Sequence, residues 1–549
     1  MEGLRKTLGY CRAETLKIIL IVVLKLLAVV MAVYQPLIYS GIINALTKGA
    51  VEDIYYGLLR LVCVQLVQIL SGYAAKVLDI KAAKNINYYV KSKVLQYIFG
   101  IPNYYNDLES GRLHSLIVSD ANSAYAVVAT LISACLSVLN VIGAGVVSIM
   151  IDWRMSLLLL IPYPIIIILN KVFSKKMRSA AHCVLEQNDK FISILRNVLG
   201  NIGNIQRQEG SRTVTQKILE EAEQGKDLSI KQGQVQNLFG FLVNATDYAS
   251  YIILTCAGIV MVVKGQLTLG GFIAFNTYSK SLSNSIEGLI NLKTNVQPLF
   301  ISMNRVYELQ DNYNKYQDTE EKKEKFSGTV EQVQLRNIAF GYNGKEVLKN
   351  INLTIKKGEI IGIVGKNGTG KTTVSKIISR VLLPESGDVL FNGTECSRFN
   401  YFSIISHISY VSNRKDVYYL SIRDNIMLGK TNGIEEYNEI CNELGIDEDL
   451  RKLDLNDEAE ITDFFELSTG QMQKIQLARM FVKDCELLIL DEAFSGLDDR
   501  TKNIVKYKLK QMASTKLIII ISHVGQDYDI CDKIYQLDGG RLLEIKETL

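Results

Sequence analysis

The chain has 549 residues, a length that predicts roughly two to four domains. Its formal net charge of +4 at neutral pH is small for this length and gives no indication of a nucleic-acid partner. Hydrophobic residues make up 48% of the chain, and its nine scattered cysteines contain no CxxC pair, which favours buried thiols and a reducing cytosol over a disulfide framework.

Six long apolar segments in the first half predict helices that cross a bilayer, since a crossing helix needs about 20 mostly apolar residues. The alternative is a set of buried helices in a large soluble protein, but soluble helices of such length show a polar face. The first segment runs well past a signal-peptide core without an A-x-A-like cleavage site, so we expect it to be retained. The predicted spans are 18–43, 54–79, 125–151, 155–173, 240–264 and 267–291.

Basic residues near the span ends predict the orientation, because cytoplasmic loops carry an excess of Lys and Arg. Four precede the first span, five lie within 80–122 and eleven within 171–235. The three opposite loops hold only Lys48, Arg154 and Lys264. Both termini and both long loops are therefore expected in the cytoplasm, and each long loop contains a plausible reversal, within 99–111 and 199–210.

Polar residues also fall inside the predicted spans. Such groups are costly in lipid and usually face a bundle interior or a watery cavity. For Lys25, snorkelling toward the cytoplasmic surface is the alternative, and the glutamines could bond between helices. The pattern predicts a polar-lined interior without identifying a cargo. The residues concerned are Lys25, Gln35, Arg60, Gln65, Gln68 and Asn140.

A glycine-rich stretch, "GKNGTGKTT", is the first chemical motif of the second half. It follows an apolar strand pattern, precedes a helical pattern, and matches G-x-x-x-x-G-K-[ST]. In this motif the backbone N–H groups and the helix N-terminus hold phosphates. The mechanism assigns Lys371 to the β- and γ-phosphates and Thr372 to Mg²⁺.

Two further apolar strands end in polar side chains, at the edge where ligands bind in parallel sheets. "CELLILDEAF" leads to Asp491, expected in the Mg²⁺ shell, and Glu492, expected as general base. The alternative for this acidic pair, a solvated loop entry, is weakened by the phosphate loop. "KLIIIISH" ends in His523, which we expect to sense the γ-phosphate, although a lone histidine is more often structural.

The stretch "LSTGQMQKIQLARM" (467–480) resembles the ABC signature LSGGQ. Phosphate loop, signature, acidic strand end, "SGLD" and histidine follow in the order of an ABC ATPase, and the first half resembles an ABC exporter half-transporter. The resemblance implies a multi-domain membrane protein with an all-α six-helix transmembrane domain and an α/β P-loop ATPase domain. The implied boundaries are 1–310 for the transmembrane domain, 311–329 for a charged linker and 330–549 for the nucleotide-binding domain.

The resemblance also implies roles for individual residues. Tyr342 would stack on adenine, the signature would reach the γ-phosphate bound by another subunit, and Asp498 would couple the two sites. The catalytic set is Lys371, Glu492 and His523, and the metal set is Thr372, Asn413 and Asp491. The nucleotide-binding set is Tyr342, Gly365, Asn367, Gly368, Thr369, Gly370, Lys371, Thr372, Thr373, Ser468, Gly470, Gln471 and Asp498.

Two positions depart from the family pattern. Asn413 stands where the family has glutamine, and its shorter side chain leaves the amide oxygen about 1.5 Å short of the metal and water. Thr469 replaces the first glycine of the signature. Neither change removes the base or the phosphate lysine, so slower hydrolysis is an alternative and inactivity is not expected.

The implied function is ATP-driven export of a small amphipathic peptide, drug or lipid by alternating access. ATP and Mg²⁺ are the implied cofactors, the plasma membrane is the expected location, and the partner is a second half-transporter, with a homodimer favoured over a heterodimer. A nucleotide-gated or regulatory membrane subunit with weak hydrolysis is the alternative. Too few residues precede the first span for the cysteine-peptidase domain of some peptide exporters, so leader cleavage is not expected.

Overall fold

The apolar first half and the mixed second half form two separate units in the computed structural model. It describes residues 2–102, 110–200, 202–207, 210–342, 344–412, 416–428, 430, 433–462 and 467–545. The first unit, called the helical unit, comprises Met1–Gln96 and Ser110–Leu309. The second, called the sheet unit, comprises Tyr97–Glu109 and Gln310–Leu549. The domain boundaries expected from the sequence remain predictions, and the reversal expected within 99–111 falls largely outside the described residues.

Long helices make up the helical unit, as the apolar runs predict. Short 3₁₀ turns at Arg12–Glu14 and Asp120–Asn122 join some of them. The last helix continues beyond this unit, because residues 310–320 belong to the sheet unit. The helices are α1 (Glu2–Cys11), α2 (Thr15–Lys48), α3 (Val51–Gly100), α4 (Ser110–Val118), α5 (Ser123–Ile151), α6 (Trp153–Leu159), α7 (Pro162–Gly200), α8 (Ile202–Arg207), α9 (Ser211–Val263) and α10 (Leu269–Glu320).

Five helical stretches in the described part of the chain are long and apolar enough to cross a membrane. Their side chains include large apolar groups that face outward, such as Ile69 at 66% exposed, which suits contact with lipid. The sixth predicted span, 267–291, lies in α10, where serine and asparagine residues interrupt the apolar run. The count of six spans therefore stays a prediction. The five stretches are Arg5–Lys48, Val51–Gly100, Leu113–Ile151, Trp153–Leu199 and Ser211–Val263.

The predicted span 155–173 consists of two helices rather than one. Asp152 caps α6, since its Oδ1 accepts hydrogen bonds from the backbone N–H groups of Arg154 (2.8 Å) and Met155 (3.1 Å). The chain leaves helical geometry after Leu160, and α7 begins at Pro162. Proline suits the first position of a helix because its missing N–H has no helical partner there.

Polar residues inside the helical unit bond to one another. Lys25 Nζ lies 3.1 Å from Asp79 Oδ2, and the Tyr125 hydroxyl donates to Asp79 Oδ1. Asn140 Nδ2 donates to Ser281 Oγ (3.0 Å) and to Ser285 Oγ (2.8 Å) across helices. Lys25 is thus held in an ion pair, a partner that the sequence did not predict. Pairing reduces the cost of keeping these groups away from water.

In the residues of the sheet unit that the structure describes, two sheets and seven α-helices follow α10. The strands are β1 (Gln332–Tyr342), β2 (Lys345–Lys356), β3 (Ile360–Val364), β4 (Ser386–Phe391), β5 (Thr394–Glu395), β6 (Ile408–Ser412), β7 (Leu487–Asp491), β8 (Leu517–Ile521), β9 (Lys533–Asp538) and β10 (Arg541–Ile545). The four-stranded antiparallel sheet has the order β2-β1-β4-β5, and the six-stranded sheet has the order β10-β9-β3-β8-β7-β6. All pairs of the larger sheet are parallel except β9–β10.

Helices cover both faces of the larger sheet or connect its strands. They are α11 (Lys371–Ile378), α12 (Tyr401–Ile405), α13 (Ile422–Met427), α14 (Ile434–Glu443), α15 (Ile446–Lys452), α16 (Thr469–Val482) and α17 (Asp499–Ala513), with 3₁₀ turns at Cys396–Arg398 and Gly525–Tyr528. Side chains of β7 alternate between two cores, with Leu488 and Leu490 in one and Leu487 and Ile489 in the other. Burial on both faces explains why this strand is a continuous apolar run.

The charged segment that the sequence marks as a linker begins as helix. Residues 311–320 form the end of α10. Glu320, which is buried, accepts from the backbone N–H of Tyr401 (2.6 Å) at Oε2 and pairs with Lys323 (2.7 Å) at Oε1. The negative charge lies at the N-terminus of α12, where the helix dipole favours it.

Gly270, near the start of α10, is a position where the packing excludes a side chain. A Cβ there would overlap the backbone oxygen of Ser40 and lie 2.7 Å from Asn44 Oδ1. We expect Gly270→Ala to cost about 1–3 kcal/mol of stability, because an added methyl group must displace backbone. The check is the thermal unfolding midpoint of the purified protein in detergent. Gly145→Ala is the matched control, since nothing lies within 4 Å of a Cβ at Gly145 and alanine favours helix. Equal midpoints for both variants would contradict the packing.

Candidate functional site

The glycine-rich loop joins β3 to α11 and provides a backbone cradle. Gly368 (φ 81°) and Gly370 (φ 106°) have left-handed backbone angles that favour glycine. A Cβ at Gly365 would lie 2.6 Å from the backbone oxygen of Leu537. No side chain caps α11, so the N–H groups of its first turn are available to an anion. The loop can therefore hold phosphate groups.

Lys371 brings a positive charge into this loop. Its side chain is only 6% exposed, and Nζ donates to the backbone oxygens of Gly365 (2.7 Å) and Lys366 (3.0 Å). Asn367 and Gly368 form the exposed tip of the loop, while Thr369 Oγ1 donates back to Lys366 O (2.9 Å). Thr373 is buried behind the loop. The ammonium group is thus fixed where phosphates would enter.

Asp491 lies at the end of β7 and is 4% exposed. The hydroxyl of Thr372 donates to its Oδ1 (3.5 Å). Ser375 Oγ (3.2 Å) and Tyr410 OH (2.8 Å) donate to its Oδ2. The carboxylate is thereby held in one orientation next to the phosphate loop.

The oxygens of Thr372 and Asp491 fit Mg²⁺. Mg²⁺ prefers oxygen ligands and is usually held by one or two carboxylates together with phosphate oxygens, so a hydroxyl and one carboxylate oxygen make a suitable protein share. In the described ranges no group of three or more His, Cys, Asp or Glu residues is placed to hold a metal without such phosphates. Asn413, the third predicted ligand, lies outside the described residues.

Glu492 and His523 lie at adjacent strand ends, β7 and β8. The His523 Nδ1 atom is 3.7 Å from Glu492 Oε1, and the backbone N–H of Glu492 donates to Ile521 O (2.8 Å). Glu492 has a left-handed backbone (φ 55°), a conformation that costs a non-glycine residue roughly 1–3 kcal/mol and persists only where surrounding structure holds it. The predicted base and sensor are therefore neighbours.

The signature residues occupy the start of α16. Ser468 and Gln471 form a capping box: Ser468 Oγ accepts from Gln471 N (3.2 Å), and Gln471 Oε1 accepts from Ser468 N (2.9 Å). Each side chain acts as acceptor in these bonds, so the serine hydroxyl hydrogen and the glutamine NH₂ remain for other acceptors. Thr469 is the first helical residue, and its hydroxyl-bearing side chain does not prevent the helix from starting there.

Helix α16 contacts the loop that follows Glu492. A Cβ at Gly470 would lie 2.6 Å from Gly496 O, so this position needs glycine. The Gln473 side chain accepts from Gly496 N (2.7 Å) and donates to Ser495 Oγ (3.1 Å). Helix α16 and the loop after Glu492 are thus joined by direct hydrogen bonds.

Asp498 and Tyr342 lie at the ends of their elements. Asp498 caps α17: its Oδ1 accepts from Thr501 N (2.8 Å), and its Oδ2 accepts from Thr501 Oγ1 (3.0 Å). The backbone bond from Thr501 holds the pKa of Asp498 below its usual range. Tyr342 ends β1 with 45% of its surface exposed, in edge contact with Phe340 (4.9 Å between ring centroids). An exposed ring is available for stacking.

Tyr410 and Ser375 also contact Asp491, although no sequence motif pointed to them. Ser375 follows Thr372 by three residues on α11, so both side chains share one helix face. Tyr410 lies in β6, the strand whose register pairs Ser412 with Asp491. The sequence feature that could have indicated Tyr410 is a tyrosine inside a short apolar strand, which is unusual enough to suggest a polar partner on a neighbouring strand.

Comparison with known proteins identifies both halves of the chain. Residues 18–286 match the family described as ABC transporter transmembrane region, and residues 348–495 match the family described as ABC transporter. A solved structure described as a bacterial Atm1-family ABC exporter with ATP bound superimposes with a TM-score of 0.81, covering 96% of this chain and 94% of that one. Its 18% identity supports the shared fold alone.

Several characterised relatives span most of the chain. The Lactococcin-A transport/processing ATP-binding protein LcnC of Lactococcus lactis subsp. lactis is 27% identical, over 93% of this chain and 71% of its own length. ComA, a transport/processing ATP-binding protein of Streptococcus pneumoniae, is also 27% identical, over 88% and 68%. An ATP-dependent lipid A-core flippase of Alcanivorax borkumensis is 25% identical, over 84% and 80%.

A phosphate loop beside an acidic strand end, a set of membrane-length helices and these two family matches agree on one assignment. The chain is a multi-pass membrane protein that binds nucleotide, and half-transporters of this kind work as dimers. It belongs to the ABC transporter family, as an exporter-type half-transporter that couples ATP hydrolysis to transport.

Proposed function

We propose that two copies of this chain form a homodimer that exports a small amphipathic cargo, a peptide, drug or lipid, out of the cytoplasm. The observation that supports ATP as the energy source is the cluster at the ends of β3, β7 and β8. There Lys371 lies inside the phosphate loop, Asp491 lies next to Thr372, and Glu492 lies next to His523. Phosphate cleavage needs a cation at the phosphates, a carboxylate for the metal and a base for the attacking water, and this cluster contains all three kinds of group.

The roles we propose follow from these positions. Lys371 and the loop N–H groups bind the β- and γ-phosphates of ATP, while Glu492 accepts a proton from the attacking water. His523 contacts the γ-phosphate, and Tyr342 stacks on adenine. Thr372 and Asp491, with Asn413, would hold Mg²⁺, which neutralises charge on the phosphates when bound.

The signature completes the site of the second subunit. We infer that Ser468, Gly470 and Gln471 approach the γ-phosphate bound by the partner, because their capping box leaves donor hydrogens available. ATP held between two subunits favours the closed dimer, and hydrolysis removes that preference. Asp498 follows the loop after Glu492, and we propose that it links the two sites.

The bias of basic residues supports an orientation with both termini in the cytoplasm and the protein in the plasma membrane. In that orientation the sheet unit meets cytosolic ATP. The cargo then moves from the cytoplasm to the opposite side.

A polar cavity in the helical unit is our candidate for the cargo site. It has a volume of about 880 Å³, lies between α7, α9 and α10, and is lined by Asp247, Asn276 and Lys280 among other residues. Lys25 and Gln68, named as cavity candidates on sequence grounds, are not among its lining residues. Asp247 Oδ1 and Asn276 Oδ1 are buried and lack a hydrogen-bond partner within the described residues. Cargo that donates hydrogen bonds would satisfy them, and among the three cargo classes this favours peptides and amine-bearing drugs.

A second function, nucleotide-gated or regulatory action with weak hydrolysis, keeps support from Thr469 in the signature. In a heterodimer, the signature of this chain would serve only the nucleotide site of the other chain, whereas in a homodimer both sites would contain it. Native mass spectrometry of the purified protein separates these assemblies: a dimer of one chain supports the homodimer, and an obligatory second chain contradicts it.

Glu492→Gln is expected to lower the ATPase rate by about 10²–10⁴, because an amide cannot act as the base. ATP binding should persist, since the phosphate loop is unchanged. The measurement is phosphate release by the protein in lipid, together with ATP binding at equilibrium. Glu544→Gln, an exposed carboxylate on β10, is the control and should retain the parental rate. Phosphate release that is absent in the parent and unaffected by Glu492→Gln would favour the regulatory function instead.

Asp247→Asn is expected to weaken stimulation of the ATPase by peptides or amphipathic amines. Loss of one charged hydrogen-bond partner costs about 1.5–3 kcal/mol, which raises the half-maximal concentration by about tenfold or more. The measurement is the concentration dependence of ATPase stimulation in proteoliposomes. Asp227→Asn is the control, because Asp227 is an exposed carboxylate on the same helix. If both variants respond like the parent, the cavity does not bind the cargo through Asp247.

A further inference from the structure

The carboxylate of Asp491 has two oxygens in different surroundings. Oδ2 accepts from Tyr410 OH at 2.8 Å and from Ser375 Oγ at 3.2 Å. Oδ1 accepts from Thr372 Oγ1 at the longer distance of 3.5 Å. One oxygen is therefore occupied by protein donors, and the other is only loosely held beside the phosphate loop.

Tyr410 is built into the structure as a lasting donor. Its strand, β6, lies next to β7, and its ring packs against the core beneath the phosphate loop. A tyrosine hydroxyl is protonated at neutral pH, so Tyr410 can donate its hydrogen to Asp491 Oδ2 across 2.8 Å. Ser375 Oγ also donates to Thr372 O (2.9 Å), which makes it a shared and weaker donor to the carboxylate.

A carboxylate that ends a strand can rotate about its side-chain torsions, and the terminal torsion of aspartate is broad. Two donors on Oδ2 oppose that rotation. They leave Oδ1 directed toward Thr372, whose hydroxyl oxygen is the second protein oxygen that we propose for the metal. Mutation of a partner that orients a metal ligand in this way typically lowers metal affinity by about 10–100-fold.

We propose that Tyr410, supported by Ser375, is a positioning residue that holds Asp491 Oδ2 so that Oδ1 faces the Mg²⁺ accompanying ATP. The inference rests on the metal role of Asp491 given under Proposed function. It adds a residue of the neighbouring strand to the machinery, and that residue acts through Asp491 without touching the nucleotide.

The test compares Tyr410→Phe with the parent as full-length protein in lipid. The probe is the non-hydrolysable ATP analogue AMP-PNP, and the readout is the thermal unfolding midpoint as Mg²⁺ is added. Tyr410→Phe should need about tenfold more Mg²⁺ for the same rise in midpoint. Stabilisation by AMP-PNP without Mg²⁺ should match the parent. In ATPase assays the half-saturating Mg²⁺ concentration should rise in parallel, with much less change in the rate at saturating Mg²⁺.

Two further variants separate positioning from general damage. Tyr437→Phe removes another tyrosine hydroxyl that donates to a carboxylate, Asp457 Oδ2 (3.0 Å), far along the same unit, and should leave the Mg²⁺ dependence unchanged. Ser375→Ala removes the longer bond to Asp491 and should cause a smaller shift in the same direction as Tyr410→Phe.

The outcomes are distinguishable. If Asp491→Asn alters the Mg²⁺ dependence and Tyr410→Phe does not, the positioning role is wrong and the proposed metal role stands. If Asp491→Asn has no effect either, the metal role fails and the inference fails with it. An equal shift in Tyr410→Phe and Tyr437→Phe would also overturn the inference.

Discussion

Parallel strands of the larger sheet all end at one edge, and this constraint gathers the chemical groups of the protein. Lys371 follows β3, Asp491 is the last residue of β7 with Glu492 directly after it, and His523 follows β8. Apolar side chains on both faces of β7 fix the strand between two cores, so the carboxylate at its end has little freedom to shift. Bonds from α11 and β6 then orient it. Packing thus sets the position of this carboxylate, and hydrogen bonds set its orientation.

The helical unit solves a different problem, because it must keep polar groups within an apolar environment. It does so by pairing them across helices, as in the Lys25–Asp79 ion pair and the Asn140 bonds to two serines. Among the buried polar atoms that lack a hydrogen-bond partner within the described residues, Asp247 Oδ1 and Asn276 Oδ1 belong to residues that line a cavity large enough for a ligand. The same energetic cost that enforces pairing elsewhere makes this cavity receptive to hydrogen-bond donors.

Sequence patterns could locate the phosphate loop and the acidic strand end because both are local motifs with fixed mechanisms, and the fold brings Thr372 of the first next to Asp491 of the second. Span 155–173 was less well predicted: hydropathy alone cannot show that Asp152 starts one short helix and Pro162 the next. The partner of Lys25 was missed because Asp79 is distant in the chain and close only after folding. Tyr410 was missed for the same reason, since its bond to Asp491 depends on the order of strands in the sheet. Motif spacing in the sequence therefore predicts local chemistry, whereas contacts between residues far apart in the chain can be seen only in the folded structure.

The capping box at the start of α16 bears on the free energy of association between subunits. The side-chain oxygens of Ser468 and Gln471 each accept a hydrogen bond from the other's backbone N–H. These bonds favour one rotamer of each side chain before any nucleotide binds. Side chains that are already ordered lose little conformational entropy when they meet a new acceptor. In the dimer proposed above, these side chains would therefore meet the partner's phosphate with a small ordering cost, and more of the free energy of association would remain for the phosphate contacts.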